Sequence, residues 1–126
     1  MEQKSIFKSI PVGQAKTILE QEQNVLLIDA RTKEEYDAWH IENAILIPHT
    51  VIVEGVEQLQ APKEQTILVI CKAGGRSSFV AEKLAEMGYM SVYNIEGGYI
   101  AWNKLLLTRK EISETEFDKH RLELSH

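Results

Sequence analysis

Thiols are nearly absent from this chain: its 126 residues include one cysteine, Cys71. That excludes an internal disulfide framework and any multi-cysteine metal site. The histidines do not make up the lack. His40 and His49 have no third ligand at useful spacing, so the sequence calls for no metal and no cofactor. Positive charge is also short, with 14 Lys+Arg against 19 Asp+Glu and a formal net charge of −5. Nucleic-acid binding needs a basic face, and this balance argues against it. No stretch approaches the ~20 apolar residues of a membrane-spanning helix. Met1 to Gln14 carries only scattered apolar residues, without a signal-peptide core. Internal repeats, low-complexity tracts and Asn-x-Ser/Thr acceptor sites are missing as well. The expectation is a cytoplasmic protein, in a compartment that keeps a lone thiol reduced, with no nucleic-acid or membrane partner.

What remains is enough to fold. A hydrophobic content of 44% over this length supports one domain with a real core, which we place at residues 1–108. Residues 109–126 read as a charged tail. Its sparse apolar residues, Ile112, Phe117, Leu122 and Leu124, could form a loosely docked helix or a frayed terminus.

Apolar runs and helix-like runs alternate along the chain. Val25–Ile28, stopping at Asp29, reads as a buried strand, as do Ala44–Ile47, ended by Pro48, and Thr66–Ile70. Ser91–Asn94 is a short strand and Phe7–Ile10 an edge strand. Helices are predicted over Val12–Gln21, Thr32–Trp39, Thr50–Leu59, Ser77–Met87 and Tyr99–Leu107, with a turn at Gly97-Gly98. Thr32 and Glu35 have the spacing of a capping box. Val80, Leu84 and Met87 make an apolar stripe, and Gly88 stands where a C-terminal glycine belongs. Strands that are continuously apolar and alternate with helices imply an α/β fold, a parallel sheet covered by helices on both faces.

The densest chemistry lies at Cys71-Lys72-Ala73-Gly74-Gly75-Arg76-Ser77, between the strand ending at Ile70 and the helix that follows. A buried cysteine is often only a small hydrophobe, but that does not explain two glycines, a lysine and an arginine within five positions. Loop amides and a helix N-terminus supply positive potential, and Lys72 and Arg76 add full charges. Such surroundings favour a thiolate over a thiol and receive an anion. In an open parallel sheet, ligands bind outside the carboxyl ends of the strands, where both this loop and Asp29 stand.

These segments resemble the rhodanese family of sulfurtransferases over roughly residues 5–107. Leu27-Ile28-Asp29-Ala30-Arg31 is similar to the family's apolar strand followed by Asp-x-Arg. Glu35-Tyr36, His40-Ile41 and Ala44 resemble its Glu-Tyr…Gly-His-Ile-x-Gly-Ala stretch. Cys71 to Ser77 resembles its active loop Cys-x-x-Gly-x-Arg-Ser, and Gly97-Gly98 with Trp102 its terminal Gly-Gly…Trp signature. Trp39 and Asn43 stand where the family usually has glycine. Asn43 can keep a left-handed turn, whereas Trp39 is expected to alter the neighbourhood of His40.

The resemblance implies transfer of sulfane sulfur from a small anionic donor such as thiosulfate. The sulfur would pass through a persulfide on Cys71 to cyanide or a thiol, a protein thiol included. Lys72, Ala73, Gly74, Gly75, Arg76 and Ser77 would then bind the substrate. Lys72 would steer the anion inward, and Arg76 would either contact it or make an ion pair inside the loop. Asp29, Arg31 and His40 are read as supporting residues, the first two pairing with each other or with loop backbone and His40 satisfying a turn. Two alternatives stand beside this: a persulfide carrier or protein-binding module without turnover of its own, and a cysteine phosphatase or arsenate reductase. Phosphatase loops resemble Cys-x5-Arg, whereas four residues separate Cys71 from Arg76 here. The shorter ring of amides suits one sulfur better than a tetrahedral phosphate.

Overall fold

The computed structural model describes residues 6–108; the charged tail, whether docked helix or frayed terminus, therefore lies outside the described residues. In chain order the elements are β1 (Lys8–Ile10), α1 (Val12–Gln21), β2 (Leu26–Asp29), α2 (Lys33–Ala38) and β3 (Ile45–Leu46). A 3-10 turn (His49–Val51) leads to α3 (Ile52–Leu59), β4 (Thr66–Ile70), α4 (Gly75–Glu86), β5 (Ser91–Ile95) and α5 (Gly98–Thr108). The five strands pair in the order β1-β5-β4-β2-β3, every pairing parallel.

β4 is the middle of this sheet, hydrogen-bonded to β2 from Leu26↔Ile67 to Asp29↔Ile70 and to β5 from Thr66↔Ser91 to Val69↔Asn94. A strand with neighbours on both edges and helices on both faces has no wet side, which is why its residues Ile67–Ile70 are all apolar and all buried. Alternation divides them. Ile67, Val69 and Cys71 pack with Val56 of α3 and Val80 and Leu84 of α4. Leu68 and Ile70 pack with Ala15 of α1 and with Tyr99, Trp102 and Leu106 of α5. Each buried Leu, Ile or Val contributes roughly 1.5–3 kcal/mol. A helix cap is worth about 1 kcal/mol, so burial decides where the helices dock.

The sheet order also fixes where a ligand fits. From β2 the chain turns outward to β3, then crosses back to β4 and continues the other way to β5. Loops leaving β2 and β4 diverge at that switch point, and the crevice lies between them. Ala30 follows β2 and Cys71 follows β4, and the Ala30 N–H donates to the Ile70 carbonyl at 2.9 Å.

Most boundaries agree with the sequence to within two residues, and the differences have local causes. β3 is shorter than Ala44–Ile47 because the Ala44 N–H is taken by the Ile41 carbonyl at 3.0 Å, closing a turn through Asn43 at φ 71°. The helix expected over Thr50–Leu59 divides at Val51, whose φ −125° and ψ 28° interrupt the spiral. α2 carries the full capping box: the Thr32 hydroxyl accepts from the Glu35 N–H while the Glu35 carboxylate accepts from the Thr32 N–H. Trp39 meets no backbone penalty, since φ −170° is extended backbone open to any residue. Its ring stands edge-on to Tyr99, centroids 5.9 Å apart.

Candidate active site

β4 delivers Cys71 to the crevice, its side chain only 1% exposed. The chain then turns sharply through Gly74, whose φ of +109° suits glycine alone. That turn makes Gly74 the N-cap of α4 and aims its N–H at the Cys71 Sγ, 3.0 Å away. α4 begins at Gly75, two residues earlier than the apolar stripe suggests, so the sulfur stands at the mouth of a 12-residue helix. The first four N–H groups of a helix have no partner within it and carry its positive end. A buried sulfur facing such a terminus, with a backbone amide already on it, is arranged to hold negative charge.

The other loop residues divide by role. Ser77 is fully buried; its Oγ donates to the Asn94 Oδ1 and lies 3.2 Å from both the Cys71 sulfur and the Gly74 carbonyl. Arg76 turns away from the sulfur toward Glu35 of α2, Nη1 to Oε1 at 2.8 Å and Nη2 to Oε2 at 3.2 Å. Partial burial pushes the Glu35 carboxyl up. The hydrogen bonds from Arg76 and Thr32, with the Arg76 charge, outweigh burial and hold it at about 2. The same contact raises the Arg76 guanidinium against the pull of its own burial. This geometry is an ion pair, but its partner stands on α2, outside the loop in which the sequence placed it.

α5 supports the loop from below. The Tyr99 N–H donates to the Cys71 carbonyl at 2.9 Å and the Ile100 N–H to the Lys72 carbonyl at 3.1 Å. This approach needs Gly98, at φ +56°, because a Cβ there would collide with the Cys71 carbonyl oxygen and come within 2.7 Å of Lys72 backbone. The Gly97-Gly98 turn thus fits one helix N-terminus beneath another.

Asp29 and Arg31 are both fully buried and pair with each other. Arg31 Nε donates to Oδ1 at 3.0 Å and Nη2 to Oδ2 at 2.9 Å. Arg31 also donates to the Trp39 carbonyl at 2.7 Å and lies over the Tyr99 ring, 3.9 Å from its centroid. The Tyr99 hydroxyl donates to Asp29 Oδ2 at 2.8 Å and accepts from the Ile41 N–H at 3.1 Å. Burial, then the Asp29 charge, pushes the phenol well above its ordinary range, so it stays a donor. His40 belongs to neither group: its Nδ1 donates to the Tyr36 carbonyl at 2.7 Å and its ring stacks on Tyr36 at 3.6 Å.

Three contributors escape sequence reasoning. The pattern marks Glu35 as a helix cap and motif residue, not as the partner of Arg76. It marks Gly98 only as a turn. Asn94 draws no notice, although an asparagine within an apolar strand is a signal, since strands disfavour it and burial demands partners.

Comparison with known proteins adds an independent line. A family model described as "Rhodanese-like domain" matches residues 12–105. The thiosulfate sulfurtransferase GlpE of Vibrio cholerae is 33% identical over 98 residues, covering 78% of this chain and 90% of that protein. The probable adenylyltransferase/sulfurtransferase MoeZ of Mycobacterium tuberculosis is 33% identical over 86 residues. That match takes in 68% of this chain but only 22% of MoeZ, so the chain spans about a fifth of that relative's length. Among solved structures, a rhodanese-like domain protein from Staphylococcus aureus is 34% identical with a TM-score of 0.68, covering 76% of this chain and 91% of that one.

Proposed function

The chain belongs to the rhodanese-like domain family, and on that premise we propose that it is a sulfurtransferase whose carrier atom is the Cys71 sulfur. The observation that carries this reading is the placement of one buried thiol at the N-terminus of α4 with the Gly74 N–H on its sulfur. In the first step the Cys71 thiolate attacks the outer sulfur of thiosulfate. The new S–S bond forms as the old one breaks, and sulfite leaves with the electron pair. Cys71 is then a persulfide. In the second step cyanide or a thiolate attacks the outer sulfur, giving thiocyanate or a new persulfide and returning Cys71 to thiolate. Lys72 steers the donor anion inward. The amides at the start of α4 receive the charge left on the outer sulfur. A lone thiol with this task fits a reducing, cytoplasmic compartment.

Thiosulfate as donor is supported by the name and coverage of the GlpE relative. The MoeZ relative, which pairs a sulfurtransferase with an adenylyltransferase in its name, supports a second reading: sulfur passed to a protein thiol rather than to a free small molecule. A phosphatase is disfavoured by the four-residue spacing of the loop and by the Glu35 carboxylate already occupying the arginine fork.

Intact-mass spectrometry tests the proposal. Incubation with thiosulfate should add one sulfur, and cyanide or a small thiol should remove it; Cys71→Ser should add none. Absence of any mass gain with thiosulfate would overturn the proposed transfer. Single loading with negligible turnover on small acceptors would favour the protein-thiol reading. Brisk hydrolysis of aryl phosphates would restore the phosphatase.

A further inference from the structure

We propose that Asn94 is a positioning residue which sets, through Ser77, the direction of the hydrogen bond between Ser77 and the Cys71 sulfur. The proposal rests on Cys71 being the reacting thiol, but its test reads the proton on Cys71 and not sulfur transfer.

The Ser77 hydroxyl is sealed from water and has three neighbours: Asn94 Oδ1 at 2.5 Å, the Gly74 carbonyl at 3.2 Å and Cys71 Sγ at 3.2 Å. A hydroxyl has one proton and two lone pairs. The shortest contact claims the proton, so Ser77 donates to Asn94 and turns a lone pair to the sulfur. The sulfur must then be the donor, as a thiol. Asn94, 4% exposed, continues the line, its Nδ2 donating to the Ser9 Oγ at 3.1 Å. The chain runs Cys71 to Ser77 to Asn94 to Ser9, and every group in it is satisfied.

Ionisation of Cys71 reverses the demand. A thiolate only accepts, and Ser77 can donate to it only by releasing Asn94. An amide carries a donor on one side and an acceptor on the other in nearly the same shape. A half-turn of the Asn94 amide would place Nδ2 on Ser77 and Oδ1 on Ser9, whose hydroxyl can donate. The chain then runs Ser9 to Asn94 to Ser77 to sulfur, again with no buried group unpaired. The proton from sulfur leaves to solvent; the chain reorients without carrying it. An apolar residue at position 94 would leave Ser77 without a partner on that side, and a carboxylate could face only one way.

Charged groups around the sulfur set the field and not this direction. They are Lys72 in the loop, Arg76 of α4 with its partner Glu35 of α2, and the pair formed by Asp29 at the end of β2 and Arg31 just beyond it. From β5 the neighbour is Asn94 itself.

Nitrogen-15 NMR of the full chain reads the Asn94 side-chain NH2 directly, and iodoacetamide alkylation reads Cys71. Across a pH series both should change with one shared midpoint. In Ser77→Ala, Cys71 should still titrate while the Asn94 signal stays flat. A flat Asn94 signal in the unmodified protein would overturn the proposal. So would an equal shift in Ser77→Ala, which would mean that the Asn94 amide senses only the thiolate's field. Asn94→Asp, an acceptor at neutral pH, should slow alkylation about tenfold at pH 7 by holding the Ser77 proton away from sulfur. The slowing should shrink in the Ser77→Ala background; equal slowing in both backgrounds counts against the relay. Coupling without any persulfide on thiosulfate would leave this proposal standing and remove the sulfurtransferase reading.

Discussion

Arg76 and Glu35 meet fork to carboxylate across 41 residues of sequence, Nη1 to Oε1 at 2.8 Å and Nη2 to Oε2 at 3.2 Å. The same carboxylate accepts from the N–H and hydroxyl of Thr32, so the start of α2 and the start of α4 share one anion. The arginine of the loop is thereby braced from outside it.

Charge and shape should separate at this position. Arg76→Lys keeps the charge but loses the two-pronged geometry, so kcat for sulfur transfer should fall by roughly tenfold. Lys72→Ala should instead raise the KM for thiosulfate with little change in kcat, an effect that salt blunts in part, since charges open to water are screened within about 10 Å at 0.1 M and Lys72 is half-buried. Steady-state kinetics at two ionic strengths distinguish the two; full activity in Arg76→Lys beside a dead Arg76→Ala would mean that charge alone matters.

Acid should loosen the brace in a defined window. Glu35 is held at about 2 in the folded chain, below its ordinary 4.5. The folded state therefore binds fewer protons there than the unfolded state, and stability rises with pH through that interval. The contribution is complete above about 4.5 and is lost as pH falls through about 2. Urea unfolding of the wild type and Glu35→Gln should differ by a constant amount from pH 7 to about 5, then converge on further acidification. A difference that does not change with pH would show that Glu35 acts by shape and not by charge.

Two glycines of the site should respond in opposite ways to alanine. Gly98→Ala meets the Cys71 carbonyl and a left-handed φ of +56°, so it should destabilise by about 1–3 kcal/mol and depress transfer. A Cβ at Gly75 would meet nothing within 4 Å, and the φ there is an ordinary one. Gly75→Ala should leave the fold unharmed or firmer by up to about 1 kcal/mol. Thermal unfolding of both variants settles the contrast.

The buried pair behind the loop should be costlier to break than to trim. Asp29→Ala removes the carboxylate that the fully buried Arg31 grips with two donors and should cost about 3–5 kcal/mol. Tyr99→Phe removes one hydroxyl that bridges Asp29 and the Ile41 N–H and should cost about 1–3 kcal/mol. Denaturant titration measures both; a larger loss in Tyr99→Phe would invert the assigned hierarchy.

The sheet is legible in the sequence because its residues advertise burial one at a time. Thr66–Ile70 and Val12–Gln21 have the bounds their patterns predict, and Thr32 with Glu35 forms the expected cap. The loop is legible too, since Cys71, Gly74 and the start of α4 are neighbours along the chain. What escapes is polar and distant. Which carboxylate Arg76 grips, which side chain stands behind Ser77, and which backbone Gly98 must clear all depend on the packing of separate elements. An ion pair or an amide contact leaves no periodic trace, whereas an apolar face does. Trp39 shows a limit of motif reading: it stands at a usual glycine position, yet the backbone there is extended and asks for no glycine.

The central place of β4 gives the thiol an unusual mechanical footing. Its amides are paired to strands on both sides, so hydrogen exchange at Ile67–Ile70 should require opening of the whole sheet, while β1 and β3 at the rims exchange far sooner. Cys71 is tethered to that slowest part. The sulfur therefore cannot swing out to meet a bulky oxidant or a misplaced thiol, and any reagent must be small or shaped enough to come to it.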